Sequence, residues 1–217
     1  MILPSSGGGG GTDIDDYVSD GIIFWLDGIY NTANGHDATS SVWEDLSGNG
    51  YDYTYGSSNI IGDDYCNPNN DGGSRAKQFS SAHQTAIRNG GTIEIVMSPT
   101  SLTATYIIIP SGNYRGTIST KSGVILFSAA SPYINVEMKS GVHYYNSSYW
   151  RDGVAYQGSS ITTSWSNAYS YLFRYNSTSY KFRGNVYAIR IYSRALSNSE
   201  MTQNWLTDKN RFGITPQ

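Results

Sequence analysis

The chain has 217 residues, with 24 glycines, 19 tyrosines and a formal net charge of −3. That length is ample for one all-β domain with a sizeable core. The charge offers no basic surface for nucleic acid, no apolar run approaches a membrane span, and the lone Cys66 excludes an internal disulfide.

Taken in chain order, residues 1–20 read as a Gly-rich arm or linker, and residues 21–217 as the folded domain. The opening MILPSSGGGGGT has no basic segment and only Ile2 and Leu3 as an apolar part, so it is not an export signal as it stands. Two expectations arise: a signal removed from a secreted protein, or a protein delivered outside by assembly, as virion proteins are. A pentaglycine held in place calls for a partner or a second copy of the chain to hold it, so a homo-oligomer is a possible state.

Strand patterns lie at 21–26, 42–46 and through Tyr51, Tyr53 and Tyr55, whose rings alternate with Asp52 and Thr54. Asn34-Gly35 and Ser47-Gly48-Asn49-Gly50 mark turns. Further strands are expected at 76–80, 92–98, 105–109, 116–120, 124–128, 133–138, 153–157 and 169–175, at the spacing of an antiparallel sandwich. The last strand, 185–192, sets Tyr187, Ile189 and Ile191 on one face and Val186, Ala188, Arg190 and Tyr192 on the other. Ser197-Asn198-Ser199-Glu200 is a capping box, with Leu196 and Met201 at the staple positions. Met201, Trp205 and Asp208 come next at helical spacing, Lys209 and Arg211 sit near the negative end of the dipole, and Gly213 is the expected stop. No other stretch reads as a helix.

The run AIRIYSRALSNSEM, closing with DKNRFG, resembles the last strand and terminal helix of laminin G-like, concanavalin A-like jelly-roll domains. GIIFWLDG (21–28) and VWEDLSGNGYD (42–52) resemble the opening strands of the same family, so the likeness brackets residues 21–213. It implies an all-β fold: a jelly-roll β-sandwich of two antiparallel sheets with one short C-terminal helix. Because lectins, adhesion modules and glycosidases share that fold, it does not name a function.

Three chemistries bear on the residues. The glucanases of this fold place two carboxylates on one strand as E-x-D-x-x-E, one to protonate the leaving oxygen and one to attack the sugar. Glu44, Glu94, Glu137 and Glu200 do not stand in that spacing, and His36, His83 and His143 lie outside any nucleophile elbow. The expectation is therefore that the chain is not an enzyme. Asp45-x-Ser47-x-Asn49-Gly50 and Asn67-x-Asn69-x-Asp71-Gly72 echo half a calcium loop. Both lack the acid at the twelfth position, so Asx turns are the preferred reading. Some laminin G-like domains bind calcium between loops, and on that resemblance Asp63, Asp64 and Asp71 are the candidate ligands. No other cofactor is expected.

The third is aromatic. HYYNSSYWRDG (143–153) and Trp165 set rings among Ser, Asn, Asp and Arg, the composition of a glycan or protein-contacting surface. The candidate ligand-binding residues are Tyr145, Tyr149, Trp150, Arg151, Asp152 and Trp165. The expected function is non-catalytic recognition or surface decoration, as a phage virion protein, fibre or capsid-decorating, at the virion surface or otherwise outside the cell. Its partners would be glycans or a virion or capsid protein. The alternative is a carbohydrate-binding module of a bacterial secreted or surface protein.

Overall fold

The computed structural model describes residues 14–54, 60–68, 80–100, 105–110, 117–121, 124–128, 136–137, 141–145, 149–156, 170–173 and 182–213. In chain order the elements are β1 (Ile22–Asp27), β2 (Val42–Trp43), β3 (Tyr53–Thr54), α1 (Ser81–Arg88), β4 (Thr92–Pro99), β5 (Thr105–Pro110), β6 (Thr117–Lys121) and β7 (Val124–Ser128). Then come β8 (Val136–Glu137), β9 (Gly141–Tyr145), β10 (Tyr149–Arg151), β11 (Val154–Tyr156), β12 (Ser170–Leu172), β13 (Gly184–Tyr192) and α2 (Asn198–Phe212). Among the described residues strands are the main regular structure, and all the described strand pairs are antiparallel.

The larger sheet runs β1-β13-β4-β9-β10-β11, the second β12-β5-β6-β7-β8, and β2-β3 form a short ribbon. One core cluster joins Phe24, Ile93, Ile95, Ile189 and Ile191 of the larger sheet to Leu172 and Phe173 at β12. Trp43 and Tyr53 of the ribbon enter the same cluster, with the Trp43 ring stacked on Phe173 at 6.5 Å. The other face of the larger sheet is covered by α2 and the residue before its cap, through Met201, Phe212 and Leu196 packed on Val96, Ala188 and Tyr192. Residues 14–18 lie there too: Ile14 and Tyr17 pack on Trp25, and Val18 joins the cluster under α2. Seven residues of the sequence-defined arm, 14–20, are thus described, and Ile14, Tyr17 and Val18 are buried in the folded body. The glycine run and the rest of the arm lie outside the described residues.

Strand 13 departs from simple alternation. Its pairing with β4 shifts register between Val186 and Ala188. A bulge adds one residue and re-aims the side chains beyond it. Val186 therefore joins Ile189 and Ile191 in the core between the sheets, while Tyr187 packs on the α2 side with Ala188 and Tyr192. The expected facing of Val186 and Tyr187 is exchanged.

Two corrections concern helices. The C-terminal helix has 15 residues and is not short. Its start is as expected: Ser197 Oγ accepts the Glu200 amide, and the Glu200 carboxylate accepts the Ser197 amide. It ends at Gly213 in the left-handed region. A second helix, α1, stands beside the stretch expected as a strand at 76–80, of which only residue 80 is described. Ser80 Oγ accepts the His83 amide at its start. The buried His83 anchors it: Nε2 bonds the Ile23 carbonyl at 3.1 Å, and the ring meets Tyr51 and Phe24 edge-on. A carbonyl only accepts, so Nε2 carries the proton and Nδ1 accepts from Ser80 Oγ. A polar anchor leaves no apolar stripe for sequence reading to find. No described helix is long and apolar enough to cross a membrane.

The cap yields two predictions. Ser197→Ala should cost about 1 kcal/mol in denaturant unfolding; no loss would place the helix start elsewhere. Glu200 is held down to about 2, from its ordinary 4.5, by Arg194 first and then by the Ser197 amide. A carboxylate depressed in the folded state contributes stability above 4.5, and that contribution is lost as pH falls toward 2. Between those limits the wild type should lose more melting temperature than Glu200→Gln, measured against each protein's own value at neutral pH.

Candidate functional site

Four of the six sequence-predicted ligand residues meet in one hairpin. Asp152-Gly153 is a two-residue turn with φ of 47° and 87°, the positive pair that a type I′ hairpin needs. It pairs Arg151 with Val154, Trp150 with Ala155 and Tyr149 with Tyr156. On the other side, Tyr149 pairs with Tyr145, and Tyr145 with Ile93. One row of backbone positions therefore crosses the sheet as Phe24, Ile191, Ile93, Tyr145, Tyr149, Tyr156. Its first three members line the core between the sheets; its last three are tyrosines on β9, β10 and the edge strand β11. In the neighbouring row on the same face, Arg151 is buried while Val154 on the edge strand is 53% exposed.

Trp150 belongs to the opposite face, as alternation demands. It is 4% exposed, meets Trp205 of α2 edge-on at 6.1 Å and sits in the cluster with Val96 and Tyr192. The expectation of an exposed ring there is corrected: Trp150 is a packing residue. Arg151 is likewise buried, its Nε 3.9 Å from Asp152 Oδ2, so neither charge projects freely from the hairpin tip. Trp165 lies outside the described residues. Tyr156 was missed; the Asp-Gly turn was the signal that would have found it, since a two-residue loop fixes the pairing across it.

The two calcium-loop echoes fare differently. Asp45 Oδ1 accepts the amides of Trp25 and Ser47, and Oδ2 accepts that of Tyr51. Its carboxylate is therefore spent on the local backbone, as an Asx turn requires. The second echo, with Asp71, lies mostly outside the described residues. Asp63 is exposed and Asp64 half-buried. The Asp64 carboxyl is pushed up by burial and then by Asp63. Among the described residues no group of three or more His, Cys, Asp or Glu could hold a metal ion.

The densest set of ionisable groups lies under α2. Arg190, fully buried, donates from Nη1 to Glu94 at 2.7 Å and to Asp208 at 3.0 Å, and from Nη2 to Asp208 at 2.8 Å. Its guanidinium lies 3.6 Å from the Tyr17 ring centroid. Tyr17 hydroxyl donates to Asp208 and accepts from Arg211, which also clamps Asp27. Asn204 links Glu94 to the Tyr192 hydroxyl. Burial alone would lower the Arg190 pKa; Asp208 and Glu94 outweigh it and keep the group charged. Burial likewise drives the Tyr17 hydroxyl well above its ordinary range. With Arg190, Glu94 and Asp208 all at 0% exposure, this network is closed to solvent and holds the helix to the sheet.

No protein-family model and no curated protein sequence matches the chain. Its fold is similar to solved structures. "Trypanosoma rangeli sialidase in complex with sialic acid" aligns at TM-score 0.62 and 15% identity, over 96% of this chain and 36% of that one. The binding domain of botulinum neurotoxin DC in complex with rat synaptotagmin II aligns at 0.54 and 12%, over 88% and 52%. This chain thus spans about a third of the sialidase chain and about half of the toxin chain. The expectation that the chain is not an enzyme is overturned here, because the first structures it resembles are sialidases. That expectation rested on one missing carboxylate spacing, which excludes one glucanase arrangement only. At 15% identity the likeness is one of fold, and it assigns no reacting residue in this chain.

Two losses of stability test the assignments. Trp150→Ala should cost about 3–5 kcal/mol, as truncating a buried aromatic does. Asp208→Ala should cost a similar ~3–5 kcal/mol by stranding Arg190. A Trp150→Ala protein with an unchanged denaturation midpoint would return that ring to the surface.

Proposed function

We propose that this domain recognises glycans through the β9–β10–β11 edge of its larger sheet. The observation that carries the reading is the register that sets Tyr145, Tyr149 and Tyr156 side by side in one row. Tyrosine offers a ring for the C–H faces of a sugar and a hydroxyl for its oxygens, with little side-chain entropy to lose. The exposure of Val154 on the same face supports access at the edge strand. The likeness to a sialidase holding sialic acid supports a carbohydrate-facing fold. The jelly-roll connection of the two sheets is part of this proposal, supported by a strand order in which β1, β13, β4 and β9 are neighbours out of sequence.

The finer placement, a phage virion protein displayed in many copies, belongs to the same proposal. A shallow edge makes weak single contacts, and copy number turns them into useful avidity. A second reading, a carbohydrate-binding module within a longer secreted or surface protein, is supported by the share of the sialidase chain, about a third, that this fold spans. In that setting a single copy would act beside another domain.

A glycan array probed with a multimer of the full chain tests the reading. At least one class of glycan should be retained, and Tyr156→Ala should reduce it by about tenfold or more while the fold persists. Retention unchanged in both Tyr149→Ala and Tyr156→Ala would overturn the site. A multimer that ignores every glycan but binds a virion protein would make this edge an assembly surface.

A further inference from the structure

One flank of α2 stays open to solvent and is not used by the packing beneath the helix. Thr202, Trp205, Leu206 and Lys209 follow one another there at helical spacing. Leu206 is 47% exposed, Lys209 is exposed, and Thr202 and Trp205 are half-buried. The Trp205 ring is held from two sides. Trp150 meets it edge-on at 6.1 Å, with planes at 79°. The tip of the β10–β11 hairpin lies against its six-membered ring, where a Cβ on Gly153 would come within 3.3 Å. Val154, next along the hairpin, is 53% exposed. An indole fixed in this way offers its open part with little rotamer freedom to lose on contact.

The stripe presents one sign of charge. Lys209 Nζ lies 5.7 Å from the Trp205 ring centroid, within the range of a cation–π contact. The neighbouring charges of the helix are turned inward: Asp208 is buried on Arg190, and Arg211 clamps Asp27. At the hairpin tip the Asp152 side chain is 7% exposed and lies 3.9 Å from Arg151 Nε. A mobile ammonium therefore stands beside a rigid ring. Val154 and Leu206 are the exposed large hydrophobics among the described residues. Two aliphatic side chains and part of an indole fall far short of the about 800 Å² a side that a specific protein interface buries. The patch matches a ligand the size of a sugar ring.

We propose that Trp205 and Lys209 bind a sugar that carries a carboxylate, such as a uronic acid. The indole takes an apolar C–H face of the sugar, and the ammonium takes the carboxylate in a charge-assisted hydrogen bond. A neutral sugar meets the ring alone and leaves the ammonium to water. The site lies on the α2 side of the larger sheet, on the opposite face from the tyrosine row, and does not depend on that row.

The test is a titration of the full chain with methyl β-glucuronide and with methyl β-glucoside, which differ in a carboxylate against a hydroxymethyl group. The indole signals of Trp205 are followed by NMR. Saturable shifts are expected, with the glucuronide bound about tenfold more tightly. Added salt should erode that preference, since an exposed ion pair is screened. Lys209→Met keeps the stem and removes the charge, so it should bring the two glycosides to equal affinity at an unchanged melting temperature. Trp205→Leu should lose both; should it fail to fold, Lys209→Met still decides. Equal binding of the two glycosides by the wild type, no shift at Trp205 with either, or an undiminished preference in Lys209→Met overturns the proposal. Because the readout is Trp205 itself, a silent glycan array alongside this shift would remove the tyrosine row and leave this site standing.

Discussion

The buried guanidinium of Arg190 is the group on which the rest of the larger sheet depends. Taking it out of water carries a penalty of several kcal/mol that Coulomb attraction offsets only when the geometry is good and the remaining donors are met. Here Nη1 and Nη2 meet both oxygens of Asp208 and one of Glu94, with the Tyr17 ring across the guanidinium face. Nε alone has no hydrogen-bond partner. The consequence is registry more than net stability. Asn204, Asp208 and Arg211 stand at helical spacing on α2 and bind Glu94 of β4, Arg190 of β13 and Asp27 of β1 respectively. Each helical turn answers to a different strand, so a slide or rotation of α2 unpairs all three together.

The N-terminal segment closes that arrangement from outside. Tyr17 covers Arg190 and bonds Asp208, the Val18 amide donates to Asn204, and the Asp16 carbonyl accepts from Gln203. Residues at the two ends of the described chain therefore share one polar core. Tyr17 thereby supplies the ring that lies against one face of the buried cation.

How much of this was legible depends on which signals are local. Strands 1, 4, 7 and 13 carry β-branched and aromatic alternation, and their positions could be read within a residue or two. The α2 start was legible from Ser197 and Glu200, whereas its buried face was not, because Asn204, Thr207 and Asp208 occupy positions where a pattern reader looks for apolar residues. For the same reason His83 hid α1. The polar core itself left only faint traces: Arg190 inside the apolar run of β13, and Glu94 inside that of β4. Each looks like a surface residue until the pairing of Arg190 with Glu94 in register is known. The bulge at Val186 cannot be seen in one strand, since it is defined against the partner.

The candidate site shows the same limit. A run of rings in polar sequence says that aromatics are near the surface, but one residue of register decides which of them face it. Trp150 and Tyr149 are adjacent, and the type I′ turn at Asp152 sends the first under α2 and leaves the second in the row of Tyr145 and Tyr156. At the centre of the sheet both faces are already occupied. Ile189 and Ile191 of β13 face the second sheet while Arg190 and Tyr192 face α2, and all four are fully buried. Such strands have no face left for a ligand. Under the proposed function, recognition therefore falls to where the larger sheet runs out, toward β11.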